Sequence, residues 1–222
     1  GWHATFMPKP LFGENGSGMH THMSLFSAGK NAMFDADDAY FLSDTGKAFI
    51  AGQLKHAREI SSIFAQWVNS YKRLIPGYEA PVYVAWARRN RSTLVRVPQY
   101  KPGKEKATRL EARFPDPGCN PYLAFSALLA AGMEGVKRKL ALPDPVEADV
   151  YHMDDKERAR LGIRSLPGSL IEALEIAKKS ELLKGALGGH VFDKLVENKM
   201  IEWDRFRMQV TSFEVDKYLP IL

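Results

Sequence analysis

The chain predicts an α+β fold: an antiparallel-rich curved sheet carrying the polar clusters, helices packed outside it, and a mainly helical C-terminal part. Three observations lead there. Short stretches at 20–24, 82–97 and 108–114 alternate with the period of two that sends successive side chains to opposite faces of a strand. From 45 to 68 the apolar residues recur at helical spacing instead. Beyond Pro145 the pattern is helical, with two capping-box signatures.

In chain order, the first stretch to about Phe34 reads as loop, strand and a tight turn at Ala28-Gly29-Lys30. Its loop Asn15-Gly16-Ser17-Gly18-Met19 has glycines that let a backbone close on an anionic ligand. If 20–24 is a strand, His20, His22 and Ser24 share one face, and Thr21, Met23 and Leu25 the other. Phe49, Ile50, Leu54, Ala57, Ile60, Ile63, Phe64 and Val68 mark a helix that exposes Lys47, Lys55 and Arg58. Residues 69–111 read as strand and loop, with Pro76-Gly77-Tyr78-Glu79 a turn acting as a mobile flap.

Asn120 followed by Pro121 is a cap with proline at the first helical position. The helix body at 122–133 is apolar nearly all round, which predicts a buried central helix. Pro143 and Pro145 mark a boundary. Ser169 with Glu172, and Thr211 with Glu214, fit capping boxes. A helix over about 190–208 would place Val191, Leu195, Met200 and Trp203 in the core.

At 222 residues and 45% hydrophobic, the chain can bury a core and falls within the range of one domain. The balance of 31 basic against 26 acidic residues gives +5, but no run of like charge resembles a nucleic-acid-binding arm. Cys119 is the only cysteine, which excludes an internal disulfide and fits a reducing cytoplasm. No apolar run is long enough to predict a membrane span.

Two clusters carry the chemistry. The first is the histidine pair His20 and His22 with Ser24, beside the glycine loop; its bland reading is a polar strand face open to water. The second is 108–114, where Arg109, Glu111 and Arg113 face opposite Leu110, Ala112 and Phe114. By itself that row is a salt-bridge ladder. Arg73, Arg88, Arg89, Arg91 and Arg96 add guanidinium groups with few nearby carboxylates, as a site for several anionic groups would require. One Glu and one His could then share a divalent cation that bridges phosphates.

Longer motifs now carry a resemblance. Met7-Pro8-Lys9-Pro10-Leu11-Phe12-Gly13-Glu14-Asn15-Gly16-Ser17-Gly18-Met19-His20 resembles the ATP-binding signature of type I glutamine synthetases. Asn69-Ser70-Tyr71-Lys72-Arg73-Leu74-Ile75-Pro76-Gly77-Tyr78-Glu79-Ala80-Pro81 is similar to their glutamate-binding and flap segment. Arg89-Asn90-Arg91-Ser92, Lys101-Pro102-Gly103-Lys104-Glu105-Lys106-Ala107-Thr108-Arg109 and Phe114-Pro115-Asp116-Pro117-Gly118-Cys119-Asn120-Pro121-Tyr122 continue the likeness in order. Five ordered motifs are far more specific than a lone glycine pattern. The likeness runs from about Phe6 to the C-terminus and weakens after Leu140.

The resemblance implies a ligase that joins glutamate and ammonium using ATP, with Mg²⁺ or Mn²⁺, through a γ-glutamyl phosphate. It implies that residues 1–142 are the ATP- and glutamate-binding part of the catalytic domain, and 143–222 its helical C-terminal part. By the same likeness His20 and Glu111 are metal ligands, and His22, Ser24, Arg96, Lys106 and Arg109 contact ATP. Asn15 and Gly16 touch glutamate, and Arg73 and Arg113 hold its carboxylates. Arg91 lies near the transferred phosphoryl group, and Glu79 closes the flap and deprotonates ammonium. Tyr71, Tyr78, Trp86 and Arg88 are read as structural. Family members are about twice this length, so the chain is expected to be a fragment holding half a site and inactive alone. Its parent is expected to be a cytoplasmic dodecamer with sites between subunits, engaging neither nucleic acid nor membrane.

Asp149-Val150-Tyr151-His152-Met153-Asp154 departs from the loop in which many bacterial relatives are adenylylated. Tyr151 is therefore expected to be unmodified, which mass spectrometry of the native protein checks. Alternative readings are a γ-glutamyl ligase for an organic amine and a non-catalytic, nucleotide-binding regulatory relative. A basic nucleic-acid module would instead bind in a strongly salt-dependent way.

Overall fold

The computed structural model describes residues 1–222. Strand β1 (Thr21–Met23) is followed by a hairpin of β2 (Phe26–Ser27) and β3 (Lys30–Asn31). Its two-residue turn places Ala28 at φ 48° and Gly29 at φ 75°, a primed turn that matches strand twist. Helix α1 (Asp44–Phe64) starts where the Ser43 hydroxyl accepts from the Gly46 N–H.

The periodicity placed this helix's end near Val68; it stops at Ala65 instead. The Gln66 side chain donates to the Ile63 carbonyl (2.9 Å), and the Trp67 N–H turns to the Ser70 hydroxyl. That local bonding opens a second helix, α2 (Val68–Arg73), where strand or loop was expected. The sheet continues with β4 (Tyr83–Ala87), β5 (Thr93–Arg96) and β6 (Leu110–Ala112). Asn120 caps α3 (Pro121–Arg138), with proline at the first turn as its sequence demands. Then come α4 (Asp155–Arg160), β7 (Arg164–Ser165), α5 (Leu170–Ala177), α6 (Glu181–Leu187), α7 (Gly189–Arg207) and α8 (Ser212–Tyr218).

The five-stranded sheet has the order β1-β6-β5-β4-β7, antiparallel at every pairing except β4 with β5. Residues 88–92 alone return the chain from β4 to its parallel neighbour β5, far fewer than an ordinary crossover uses. So short a return needs support from outside the sheet.

One sheet face packs on α1, and α1 packs on α3. Three glycines let that helix pair close. A Cβ on Gly52 would lie 2.2 Å from the Ala131 carbonyl oxygen, and one on Gly135 would lie 2.0 Å from that of Ala48. On Gly132 it would meet the Phe49 ring at 2.3 Å. The expectation that α3 is buried all round is corrected: Ala124, Ala127, Leu128 and Ala131 are buried, whereas Tyr122 (81% exposed), Phe125, Leu129 and Met133 are not. An apolar sequence does not say how many neighbours a helix has.

In α7, Leu195, Met200 and Trp203 pack against the core as expected, but Val191 is exposed and Phe192 is buried in its place. Lys199 is also buried, its ammonium 3.7 Å from the centre of the Trp67 ring. Thr211 and Glu214 form both halves of a capping box; Ser169 caps Glu172, whose carboxylate reaches the Gly168 N–H. No helix is long and apolar enough to cross a membrane.

Candidate active site

The site is built on the sheet face opposite α1. Register pairs His22 of β1 with Glu111 of β6, and Glu111 with Arg96 of β5, so the three stand in one cross-strand row. Glu111 is buried at 3% exposure. Its carboxylate accepts from Arg96 Nε (2.5 Å) and Arg113 Nη1 (3.2 Å), and lies 3.0 Å from His20 Nδ1. Burial pushes the Glu111 carboxyl up. The Arg96 hydrogen bond, with the charges of Arg96, Arg113 and His20, outweighs it and holds the group below the usual carboxylate range. His20 is held below its ordinary value, first by burial and then by the Arg113 charge, which together outweigh the pull of Glu111. An ionised carboxylate beside a neutral imidazole results.

That donor pair suits Mg²⁺ or Mn²⁺. No group of three or more His, Cys, Asp and Glu gathers in the chain, so His20 and Glu111 would be at most a partial ligand set for such an ion. Along the same strands, Arg109 Nε donates to His22 Nδ1 (3.0 Å), fixing both ATP-side candidates to one another. A cleft of about 320 Å³ beside Arg109 is lined by Pro98, Tyr100, Lys101, Lys104 and Thr108. Lys106 lies on an exposed 3₁₀ turn and Ser24 past the end of β1; neither touches the row.

The glycine loop is shaped by Arg73. A Cβ at Gly16 would come within 2.6 Å of the Pro8 carbonyl and 2.9 Å of Arg73 Cγ, and one at Gly18 within 2.7 Å of Arg73 Nη2. Neither glycine has positive φ; what they provide is close approach. Arg73 lies buried beneath them, donating to the carbonyls of Phe114 (3.0 Å) and Arg113 (3.1 Å). Burial lowers its pKa, against the favourable charge of Asp116. Of the two carboxylate-binding candidates, Arg113 therefore joins the Glu111 cluster, while Arg73 braces the loop bearing Asn15 and Gly16.

Glu79 and Arg91 both line a cavity of about 780 Å³. Glu79 sits at φ 54° in a γ-turn closed by the Ala80 N–H on the Tyr78 carbonyl (2.6 Å), a strained conformation for a residue with a side chain. Arg91 is exposed on the short 88–92 return. Of the residues read as structural, Trp86 donates to the Pro143 carbonyl (2.7 Å), Arg88 lies over Tyr40, and Tyr78 lies under the Lys9 ammonium (4.1 Å). Glu147, Asp149, Tyr151 and His152 line the same cavity. The motifs had drawn Tyr151 out only as a modification question and had not singled out the other three, because nothing in their spacing marks residues reaching a strand loop some 60 positions earlier.

A family model described as the glutamine synthetase catalytic domain matches residues 1–218. The chain is 52% identical to a Thermotoga maritima glutamine synthetase over 219 residues, covering 99% of this chain and 49% of the relative. It is 49% identical to the Methanosarcina mazei enzyme of that name, covering 100% and 49%, and 48% identical to that of Staphylococcus aureus, covering 98% and 48%. Among solved structures, the GmaS/ADP complex in conformation 1 superposes with a TM-score of 0.86 at 33% identity, covering 97% of this chain and 49% of that one. Apo GmaS gives 0.83 at 34% identity, covering 97% and 48%. The chain spans about half the length of the curated relatives it matches.

Proposed function

The chain belongs to the glutamine synthetase family, and from that premise we propose that it carries half the active site of an ATP-dependent glutamate–ammonia ligase. The observation that carries this reading is Glu111: a buried, ionised carboxylate held by Arg96 and Arg113 beside a neutral His20. Such a cluster suits phosphoryl transfer, which needs little more than fixed charges in fixed places.

In this reading a glutamate γ-carboxylate oxygen attacks the terminal phosphorus of ATP, and ADP leaves. Ammonia then attacks the acyl carbon, inorganic phosphate leaves, and Glu79 takes the proton. His20 and Glu111 hold a divalent ion, which supplies positive charge to the phosphates when bound. Arg91 steadies the phosphoryl group, and Arg113 with Arg73 orients glutamate beside Asn15 and Gly16. His22, Ser24, Arg96, Lys106 and Arg109 bind ATP; adenine-nucleotide binding in general is supported by the likeness to the GmaS/ADP complex. The Glu79 flap excludes water from the acyl phosphate. Further metal ligands come from outside these residues, in a homo-oligomer with sites shared between subunits.

The test is phosphate release from ATP and glutamate by the full natural chain, with ammonium and then methylamine as acceptor. Ammonium-dependent release supports the reading. Release with methylamine only moves the protein to the amide ligases, and no release with any acceptor removes the catalytic reading.

A further inference from the structure

Residues 146–151, in the C-terminal part, bind two backbone segments that line the cavity, the 88–92 return and the turn at Glu79. Glu147 accepts from the backbone N–H groups of Arg88 (2.8 Å) and Arg89 (3.1 Å), and Asn90 donates to the carbonyls of Val146 (3.0 Å) and Ala148 (2.5 Å). The short return that carries Arg91 thereby gains the outside support its length requires. On the other wall, the Tyr151 hydroxyl donates to the Ala80 carbonyl at 2.5 Å, one residue past the strained Glu79. A positive φ at a residue with a side chain persists only where the surroundings over-determine it. Two contacts do so here: the Lys9 ammonium over Tyr78, and the Tyr151 hydroxyl on Ala80.

We propose that Tyr151 is a positioning residue that holds the Glu79 flap in its strained turn, and that 146–151 thereby sets Glu79 against Arg91. The phenol is suited to the task. Its ring packs against Tyr83, and burial raises its pKa to about 12, so the hydroxyl stays a donor at every working pH. The kinetic consequence rests on the proposed ligase function; the geometric one does not.

The test uses the full natural chain as wild type, Tyr151→Phe and Tyr151→Leu, read by hydrogen exchange of residues 76–81 and by the KM for ammonium beside kcat. Tyr151→Phe keeps the ring and loses only the donor. It is expected to speed exchange at 76–81 without changing β4 or β5, and to raise KM about two- to tenfold with kcat nearly unchanged. If Tyr151→Phe matches wild type in exchange and KM while only Tyr151→Leu departs, the residue merely packs and the proposal falls. If wild type shows no ammonium-dependent turnover, the ligase reading fails, and the exchange result alone still decides whether Tyr151 fastens the flap.

Discussion

Glu111 is where single-residue chemistry is most constrained. Replacing it with Gln leaves Arg96, Arg113 and His20 without their shared anion, so Glu111→Gln is expected to cost about 3 kcal/mol of folding stability near neutral pH, measured by urea unfolding. The pH dependence follows from the depressed carboxyl. Its stabilisation is complete above the unfolded value of 4.5 and is lost as pH falls through the lower folded value, so the difference between wild type and Glu111→Gln narrows in acid. His20 acts in the same direction higher up. Its folded pKa lies below 6.5, so stability contributed by the neutral ring declines as pH falls below that value, and His20→Gln flattens this part of the curve in metal-free buffer. Arg91→Lys is expected to lower kcat of the full natural chain at least about tenfold, since an ammonium cannot span two phosphoryl oxygens. A Lys variant with unchanged kcat would remove Arg91 from the phosphoryl site.

Between elements, the α1–α3 contact is the most tightly specified. Gly135→Ala drives a methyl into the Ala48 carbonyl and Gly52→Ala one into that of Ala131, so each is expected to lose about 1–3 kcal/mol with a lower thermal midpoint. Gly185→Ala in α6 is the control: nothing lies within 4 Å of the added carbon, and helix propensity predicts a gain of about 0.5–1 kcal/mol. Calorimetry of the three variants checks both signs. All three are glycines in helices, and their sequences alone give no hint which is a packing contact and which is open.

At the scale of the molecule, the proposed ligase reading predicts that these 222 residues alone release no phosphate from ATP and glutamate, and that the full-length protein releases it when ammonium is added. The reasons are that no group of three or more His, Cys, Asp and Glu gathers in the chain, and that the chain spans about half the length of its relatives. Turnover by the 222 residues alone would show that the site needs no further ligands.

The α+β class, the strand within 108–114 and the Asn120 cap were legible in the chain, because alternation and capping are local properties. Local signals also misled. Residues 45–68 kept helical spacing past the break at Ala65, where Gln66 and Ser70 compete for the backbone. The apolar body of α3 suggested burial all round, yet one face is exposed, because burial depends on neighbours from elsewhere in the chain. Gly16 and Gly18 looked like a ligand cradle, and the structure adds that Arg73 lies against both. By itself, then, the sequence determined which residues carry charge, where most strands and helices lie, and which family they belong to. Only the tertiary structure decided that Glu111 is gripped by two arginines, that Arg73 is buried under the glycine loop, and that Tyr151 reaches the flap. Apart from Arg113, two positions from Glu111, those contacts join residues 15 to 71 positions apart, and their distances and desolvation exist only once the chain has folded.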